Sequence, residues 1–184
     1  MNPSVSDAIR SRRTIHDFVP GSAPPGEVIQ AAIDHAVMAP NHRLSRPWRF
    51  YLPGPETVER ICQLNAALVR GTRGEAAAES KLRRWRQMPG WMVLTSARSE
   101  DPILQREDFA ACCCAAQNFM LYLCGQDVGV KWTTGEVTQD ADFYALLGID
   151  AEREEVVGLF WFGRPAAVPE RAAPPDPPPV FSLP

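Results

Sequence analysis

The residues best suited to chemistry in this chain lie in a short segment near its N-terminus. It reads Arg12-Arg13-Thr14-Ile15-His16, so three potential cations and a hydroxyl fall within five positions. Guanidinium groups bind phosphate oxygens bidentately and a hydroxyl adds a further hydrogen bond, so the segment predicts a phosphate site. A solvated last helical turn, whose cations balance the helix dipole, explains the arginines equally well. The segment by itself does not separate these two interpretations.

A second candidate segment, residues 39–50, reads Ala-Pro-Asn-His, four further residues, and then Pro-Trp-Arg-Phe. It places a helix breaker, a polar pair and an aromatic residue ahead of an apolar strand. Its His42 is the side chain that could contact a ligand. An ordinary surface histidine at a helix end is the alternative.

Two later segments complete the set of candidates. The run Trp132-Thr133-Thr134-Gly135 combines an aromatic ring, two hydroxyls and a glycine that permits close backbone approach, which suits a flat ligand. A strand-end turn with a buried tryptophan is the alternative. Arg164, which precedes a proline after the last apolar run, is a candidate phosphate contact.

Taken together and in this order, the segments resemble the FMN-dependent nitroreductase family, in particular its short single-domain members, over roughly residues 7–168. In that family the first segment holds FMN, and the loop with the histidine contacts FMN across a dimer interface. The resemblance implies neither a catalytic acid or base nor a metal ligand. The cofactor-binding residues that it implies are Arg12, Arg13, Thr14, His16, His42, Trp132, Thr133, Thr134 and Arg164.

Two residues depart from the family pattern. His16 stands where lysine or arginine is common, so a positive charge near the flavin ring would depend on protonation. Arg46 precedes the Pro-Trp pair where glutamine is common. Residues 67–87 match no family motif, and their basic run at 81–86 predicts a solvated helix face. The alternative is that this run lines the entrance for an anionic reductant such as NADPH.

The activity that the resemblance implies is hydride transfer from NAD(P)H through FMN to an acceptor such as a nitroaromatic or a quinone. The sequence contains neither a dinucleotide fingerprint nor a phosphate-binding loop of the NTPases, so no separate nucleotide-binding fold is expected. NAD(P)H and the acceptor would then use one flavin face in turn, in a ping-pong scheme. Two alternatives stay open: other flavin chemistry on the same fold, such as dehalogenation, azoline oxidation or flavin fragmentation, and a flavin-binding protein without turnover.

Charge and composition argue against several classes of protein and site. A formal net charge of -3 argues against a sequence-independent nucleic-acid binder. The longest apolar stretch, 109–124, is interrupted by Gln117 and Asn118 and predicts no membrane span. The polar residues 1–13 predict no signal peptide. Five cysteines, three of them contiguous at 112–114, predict buried thiols in a reducing cytoplasm rather than a metal site.

Hydrophobic periodicity and breakers predict an α+β fold, for which the resemblance implies a mostly antiparallel central sheet wrapped by helices. A domain at 1–168 and a Pro-rich arm at 169–184 are expected, because the arm holds seven prolines in sixteen residues. Helices are predicted from Ser4 onward and at 27–38, 56–69, 75–87, 103–126 and 142–147, with a break at 71–74. Strands are predicted at 48–52, 92–97, 129–133 and 156–162.

The long helix at 103–126 is the predicted centre of the subunit. Residues 109–124 carry almost no strongly polar side chain, so burial on every side and a central place in a homodimer interface are predicted. The apolar end of the arm, 180–183, favours docking on a partner subunit. The apolar stripe of the helix is predicted to be Phe109, Cys113, Ala116, Met120 and Leu123.

Overall fold

A four-stranded antiparallel sheet lies between two layers of helices. The computed structural model describes residues 4–170 and 178–183. The strands are β1 (Trp48–Tyr51), β2 (Gly90–Ala97), β3 (Gly129–Thr133) and β4 (Glu154–Gly163). Their order in the sheet is β1-β2-β4-β3, and every neighbouring pair is antiparallel. The predicted α+β class with an antiparallel central sheet is therefore confirmed.

The α-helices of the described residues are α1 (Val5–Ser11), α2 (Gly26–Ala36), α3 (Pro55–Arg73), α4 (Glu75–Trp85), α5 (Pro102–Cys124) and α6 (Ala141–Leu147). Helix α1 begins where predicted, because the side chains of Ser4 and Asp7 form a capping box. The predicted break at 71–74 is wrong over most of its length, since α3 continues to Arg73. Gly74 alone separates α3 from α4, with a φ of 81° that favours glycine.

The sheet is buried on both faces, as the continuous apolar run at 156–162 predicts. On β4, Phe160 and Phe162 face the layer of α2 and α5. Leu159 and Trp161 face the opposite layer, formed by α3, α4 and α6. All four side chains are almost fully buried. The alternation of side chains along a strand therefore joins the two apolar cores through β4.

Helix α5 is buried along one side only in the single chain. The predicted burial on every side includes a dimer interface and stays a prediction, whereas the predicted stripe is displaced, since Phe109 keeps 39% of its surface exposed and Cys113 is half-buried. The uncovered side includes the exposed Ala110 and Cys114. Within residues 4–170 and 178–183, no helix is both long and apolar enough to cross a bilayer. The buried side consists of Asp108, Ala111, Cys112, Ala115, Ala116, Phe119, Met120 and Leu123.

The first candidate segment lies along the open edge of β3. Thr14 pairs with Val130 in a parallel bridge, and the amide of Ile15 donates to the carbonyl of Val130 over 3.1 Å. Ile15 and Phe18 are buried, whereas Thr14 and His16 are exposed. Side chains of an extended segment alternate in this way. The sheet edge thus presents the polar side chains of the segment to a ligand.

Part of the Pro-rich arm, residues 171–177 and 184, lies outside the described residues. In the described part, Val180, Phe181 and Leu183 are 85%, 82% and 87% exposed. The apolar end of the arm therefore remains uncovered on this chain.

Trp132 of β3 packs in the space above Gly158 of β4. Its ring stacks on Phe160 with the centroids 5.3 Å apart, and its Nε1 donates to the carbonyl of Val157 over 3.2 Å. A Cβ atom at position 158 would lie 2.0 Å from that nitrogen. The glycine is therefore required by the close approach of the indole.

We predict that Gly158→Ala lowers the free energy of unfolding by about 1–3 kcal/mol, because the added methyl group forces the Trp132 ring out of its place. Urea unfolding followed by fluorescence measures the change. Gly135→Ala is the matched control, since no atom lies within 4 Å of a Cβ at position 135, and its effect should stay within about 0.5 kcal/mol. Equal stability of the two variants would contradict this packing.

Candidate functional site

A cavity of about 360 Å³ at the start of β3, here named the arginine cavity, brings together Arg12, Arg13 and Arg164. Met120 and Cys124 of α5 form part of its wall. Within the described residues, the guanidinium groups of Arg12 and Arg164 have no hydrogen-bond or ion-pair partner. Two adjacent candidates, Arg12 and Arg13, therefore share one cavity with the distant Arg164, and Arg12 and Arg164 have their guanidinium donors unused.

Arg13 has a partly structural role. Its Nη1 donates to the carbonyl oxygens of Arg10, Ser11 and Arg12 over 2.7, 2.9 and 3.0 Å. These carbonyls belong to the end of α1, where helical partners run out. Its Nε is buried without a partner among the described residues. Arg13 thus closes the end of the helix and retains one unused donor beside the cavity.

A second cavity of about 390 Å³, here named the basic cavity, lies at the other end of β3 between α3 and α4. The candidates Thr133 and Thr134 line it together with Gly135 and the ring of Trp161. Cationic side chains surround it, with a single carboxylate among its lining residues. These charged residues are Arg73, Lys81, Arg84, Lys131 and Glu136.

Some side chains of the basic run at 81–86 face the solvent and others line this cavity. Arg83 and Arg86 are exposed and pair with glutamates over 3.7 and 2.5 Å, as a solvated helix face predicts. Lys81 and Arg84 line the cavity, as the alternative for this run allows, and Arg84 is also exposed to solvent. Lys81 and Arg84 are three residues apart and therefore lie on one side of a helix. This spacing is the sequence signal that places both side chains at the same cavity.

Arg84 joins α4 to the first candidate segment. Its Nη2 donates to the carbonyl of His16 over 3.1 Å and lies 3.4 Å from a carboxylate oxygen of Asp17. The contact places His16 beside the mouth of the basic cavity. The candidates of the first segment therefore extend from the arginine cavity toward the basic cavity along the edge of the sheet.

Lys131 is a half-buried cation of the basic cavity. Its ammonium lies 5.1 Å from the centroid of the Trp161 ring, within the range of a cation–π interaction. Burial lowers the pKa of Lys131, and the like charges of Arg84 and Lys81 lower it further. The cavity therefore has a positive potential in its interior, which favours negative charge.

Trp132 points away from the basic cavity. Its ring belongs to the core that lies between the sheet and α5, whereas Lys131 and Thr133 line the cavity. Neighbouring residues of a strand point to opposite faces of the sheet. Trp132 can therefore offer a ligand its backbone but not its ring.

His42 begins a short 3-10 helix, His42–Leu44, that was not predicted. Non-glycine residues adopt positive φ at Arg43, Leu44 and Arg46, with values of 49°, 55° and 48°. Such conformations are costly and gather at functional sites. The amide of Arg46 donates to the side-chain oxygen of Asn41 over 3.0 Å, which closes the loop.

The structure does not bring His42 to the other candidates within one chain. Its Nδ1 lies 4.0 Å from Glu107, near the start of α5. The first segment instead meets the end of α5, where Ser11 Oγ lies 3.7 Å from Cys124 Sγ. Helical rise separates these two points by about 25 Å.

The five cysteines are spread between the core and the surface. Burial raises the pKa of Cys112 to about 12, whereas Cys114 is exposed. Among residues 4–170 and 178–183, no three His, Cys, Asp or Glu side chains are arranged to hold a metal ion.

Known proteins share this fold and sequence pattern. The Bacillus subtilis protein YfhC, provisionally named an NAD(P)H nitroreductase, is 28% identical over 169 residues, which cover 89% of this chain and 86% of that protein. The crystal structure of a nitroreductase-like family protein from Bacillus cereus has a TM-score of 0.81 at 24% identity and covers 95% of this chain and 92% of its own. A nitroreductase with bound FMN from Bacteroides fragilis has a TM-score of 0.79 at 16% identity, covering 98% and 100%.

These structural likenesses establish the fold. The sequence model of the Nitroreductase family matches residues 9–164, which include the first three candidate segments and Arg164. Since the match spans most of the sequence, this chain belongs to the Nitroreductase family.

Proposed function

We propose that this chain is an FMN-dependent NAD(P)H oxidoreductase that reduces an acceptor such as a nitroaromatic or a quinone. The observation that carries the proposal is the arginine cavity, where Arg12, Arg13 and Arg164 meet with N–H groups unused. A phosphate group supplies the oxygens that such donors require.

FMN fits the distribution of charge and space along the edge of β3. Its phosphate would be held by Arg12 and Arg164, with the exposed hydroxyl of Thr14 as a further donor. Its ring would be held by Thr133 and Thr134, beside Gly135, where no atom limits close approach. When bound, FMN supplies the redox chemistry by taking a hydride from NAD(P)H and passing it to the acceptor.

The basic cavity would compensate for the histidine at position 16. Lysine and arginine side chains are cationic at neutral pH, whereas a histidine is cationic only when protonated. Lys81 and Arg84 line the cavity, and Arg84 contacts the carbonyl of His16 over 3.1 Å. Fixed positive charge would thus lie near the flavin ring whatever the protonation state of His16.

A homodimer would complete the site. Two copies of α5 packed antiparallel would bring the start of one helix to the end of the other, and so His42 of the partner subunit to the arginine cavity. The same contact would cover the apolar side of α5 that includes Phe109 and Cys114. The exposed apolar end of the arm at 178–183 is proposed to dock on the partner as well, outside the domain at 1–168.

We predict that Arg12→Ala weakens FMN binding by about 1.5–3 kcal/mol, because a charge-assisted contact to the phosphate is lost. Titration of the apoprotein with FMN measures this change. Arg83→Ala is the control, since Arg83 is exposed and pairs with Glu79 over 3.7 Å, away from both cavities. Equal FMN affinity in the two variants would contradict the phosphate site, as would FAD as the cofactor released by heat.

A shared site predicts complementation between two defective variants. Arg12→Ala and His42→Ala homodimers should each lose most NAD(P)H oxidation, because each change damages both sites. Heterodimers isolated through two different affinity tags keep both residues in one site of two, so about half of the activity should return. Heterodimers as inactive as the parents would show that both residues serve a site within one chain, and a monomeric active enzyme would exclude the dimer.

The kinetic scheme should be ping-pong. Residues 4–170 and 178–183 form no second nucleotide-binding fold, so NAD(P)H and the acceptor would use the same exposed flavin face in turn. Initial rates measured against NAD(P)H at several acceptor concentrations should give parallel double-reciprocal lines. Intersecting lines would show a ternary complex and contradict the shared face.

A further inference from the structure

The basic cavity holds more positive charge than one phosphate group requires, and it lies at the opposite end of β3 from the arginine cavity. We infer that it binds the acidic group of the electron acceptor, so that the preferred acceptor is an aromatic or conjugated compound carrying a carboxylate or a similar anion. This inference rests on the proposed function, because it names the substrate class of that site.

Most of the positive charge in the cavity is unpaired. Arg73 and Lys81 have no ion-pair partner among residues 4–170 and 178–183, and Lys131 interacts with an aromatic ring rather than a carboxylate. Arg84 lies 3.4 Å from Asp17, and Glu136 is the remaining acidic group that lines the cavity. The cations outnumber these two carboxylates, so the cavity retains a net positive charge.

Two neutral hydrogen-bond donors also favour an anionic ligand. The Nδ2 of Asn65 and the Nε1 of Trp161 are buried and have no hydrogen-bond partner in the described part of the chain. Both residues line the basic cavity. Buried N–H groups without a partner are unfavourable, and a ligand with several acceptor oxygens would relieve them. A carboxylate has such oxygens and also neutralises the surrounding cations.

The cavity also has an apolar part of its lining for an aromatic skeleton. Leu68 and Val69 line it together with Trp85 and Trp161. The two indole rings pack edge to face with centroids 4.9 Å apart and keep only 7% and 4% of their surface exposed, so they contribute small apolar areas rather than open ring faces. The enclosure of Lys131 lowers its pKa, and a bound anion would oppose that effect by favouring the ammonium form.

Because the arginine cavity would hold the phosphate, the cations of the basic cavity would face the flavin ring at Thr133 and Thr134 and a second ligand beside it. FMN has a single phosphate, which the proposed function assigns to Arg12 and Arg164. The two ends of β3 are about 13 Å apart at the rise of an extended strand. The phosphates of NAD(P)H are the other anions that these cations could bind. The experiment must therefore separate reduction of the enzyme by NAD(P)H from its reoxidation by the acceptor.

The test compares para-nitrobenzoate with its neutral analogue para-nitrobenzamide. The holoenzyme is first reduced anaerobically with NADH or NADPH, and its reoxidation by each acceptor is then followed in a stopped-flow instrument. Nitro reduction consumes the two electrons and one proton of a hydride together with one solvent proton, and it yields the nitroso compound and water. Working with reduced enzyme separates acceptor binding from binding of the nicotinamide nucleotide.

We expect the wild type to react about tenfold faster with the benzoate than with the benzamide, as loss or gain of one charge-assisted contact predicts. Arg73→Gln should remove most of that preference, and added salt should weaken it. Arg83→Gln has the same loss of net charge outside the cavity and should keep the preference. Lys81→Gln serves as the second cavity variant if Arg73→Gln fails to fold.

Equal rates with the two acceptors would overturn the inference while leaving a functional flavoenzyme intact. A preference lost equally in Arg73→Gln and Arg83→Gln would overturn it too, since overall charge would then be the cause. So would an Arg73→Gln enzyme that keeps the benzoate preference but is reduced more slowly by NADPH, because the cations would then serve the reductant. A protein that binds no flavin would instead refute the proposed function itself.

Discussion

The pairing of an extended N-terminal segment with the edge of β3 is the contact on which the candidate site depends. The amide of Ile15 donates to the carbonyl of Val130, and the buried side chain of Ile15 anchors the segment on the core. Gly129 permits this approach, because a Cβ there would lie 2.5 Å from Cγ1 of Ile15. The alternation that buries Ile15 leaves Thr14 and His16 exposed. The hydrogen bond between Ile15 and Val130 and the small size of Gly129 thus place the cation-rich segment between the two cavities.

The long helix α5 imposes the second constraint. The segment with Arg12 meets its last turn, whereas the strained loop with His42 meets its second turn. No rearrangement of loops closes a gap of about 25 Å along a rigid helix. Helix α5 is apolar on both sides. The sheet and α2 cover one side, and a second subunit would cover the other.

Periodicity and breakers were sufficient for the fold, since each predicted helix and strand occurs with small changes at its ends. The exceptions have local causes. Gly71 is followed by helix-compatible residues, so α3 continues where a break was predicted. The apolar stripe of α5 was misplaced because its apolar surface is divided between the core and the uncovered face. The positive φ values at Arg43, Leu44 and Arg46 have no signal in a sequence without glycine at those positions.

The candidate site could be predicted from the sequence only in part. Residues close together in the chain, such as Arg12 and Thr14, appear as a motif, and the family resemblance supplied their partners. The basic cavity was predicted only in part. The alternative for the run at 81–86 placed that run at an entrance for an anion, but Arg73 of α3 and Lys131 of β3 share no sequence pattern with it. Lys131 lies next to the predicted Trp132 but points to the opposite face of the sheet. Prediction of such a cavity requires the register of β3 and the rotation of α4, which long-range packing determines.

The visible spectrum of the purified protein, recorded anaerobically before and after addition of NAD(P)H, tests the proposed flavoenzyme most directly. We expect the absorption of an oxidised flavin, or its appearance after reconstitution with FMN, followed by bleaching when NAD(P)H is added without an acceptor. A protein that stays colourless after incubation with FMN, or a bound flavin that NAD(P)H does not bleach, would contradict an FMN-dependent NAD(P)H oxidoreductase.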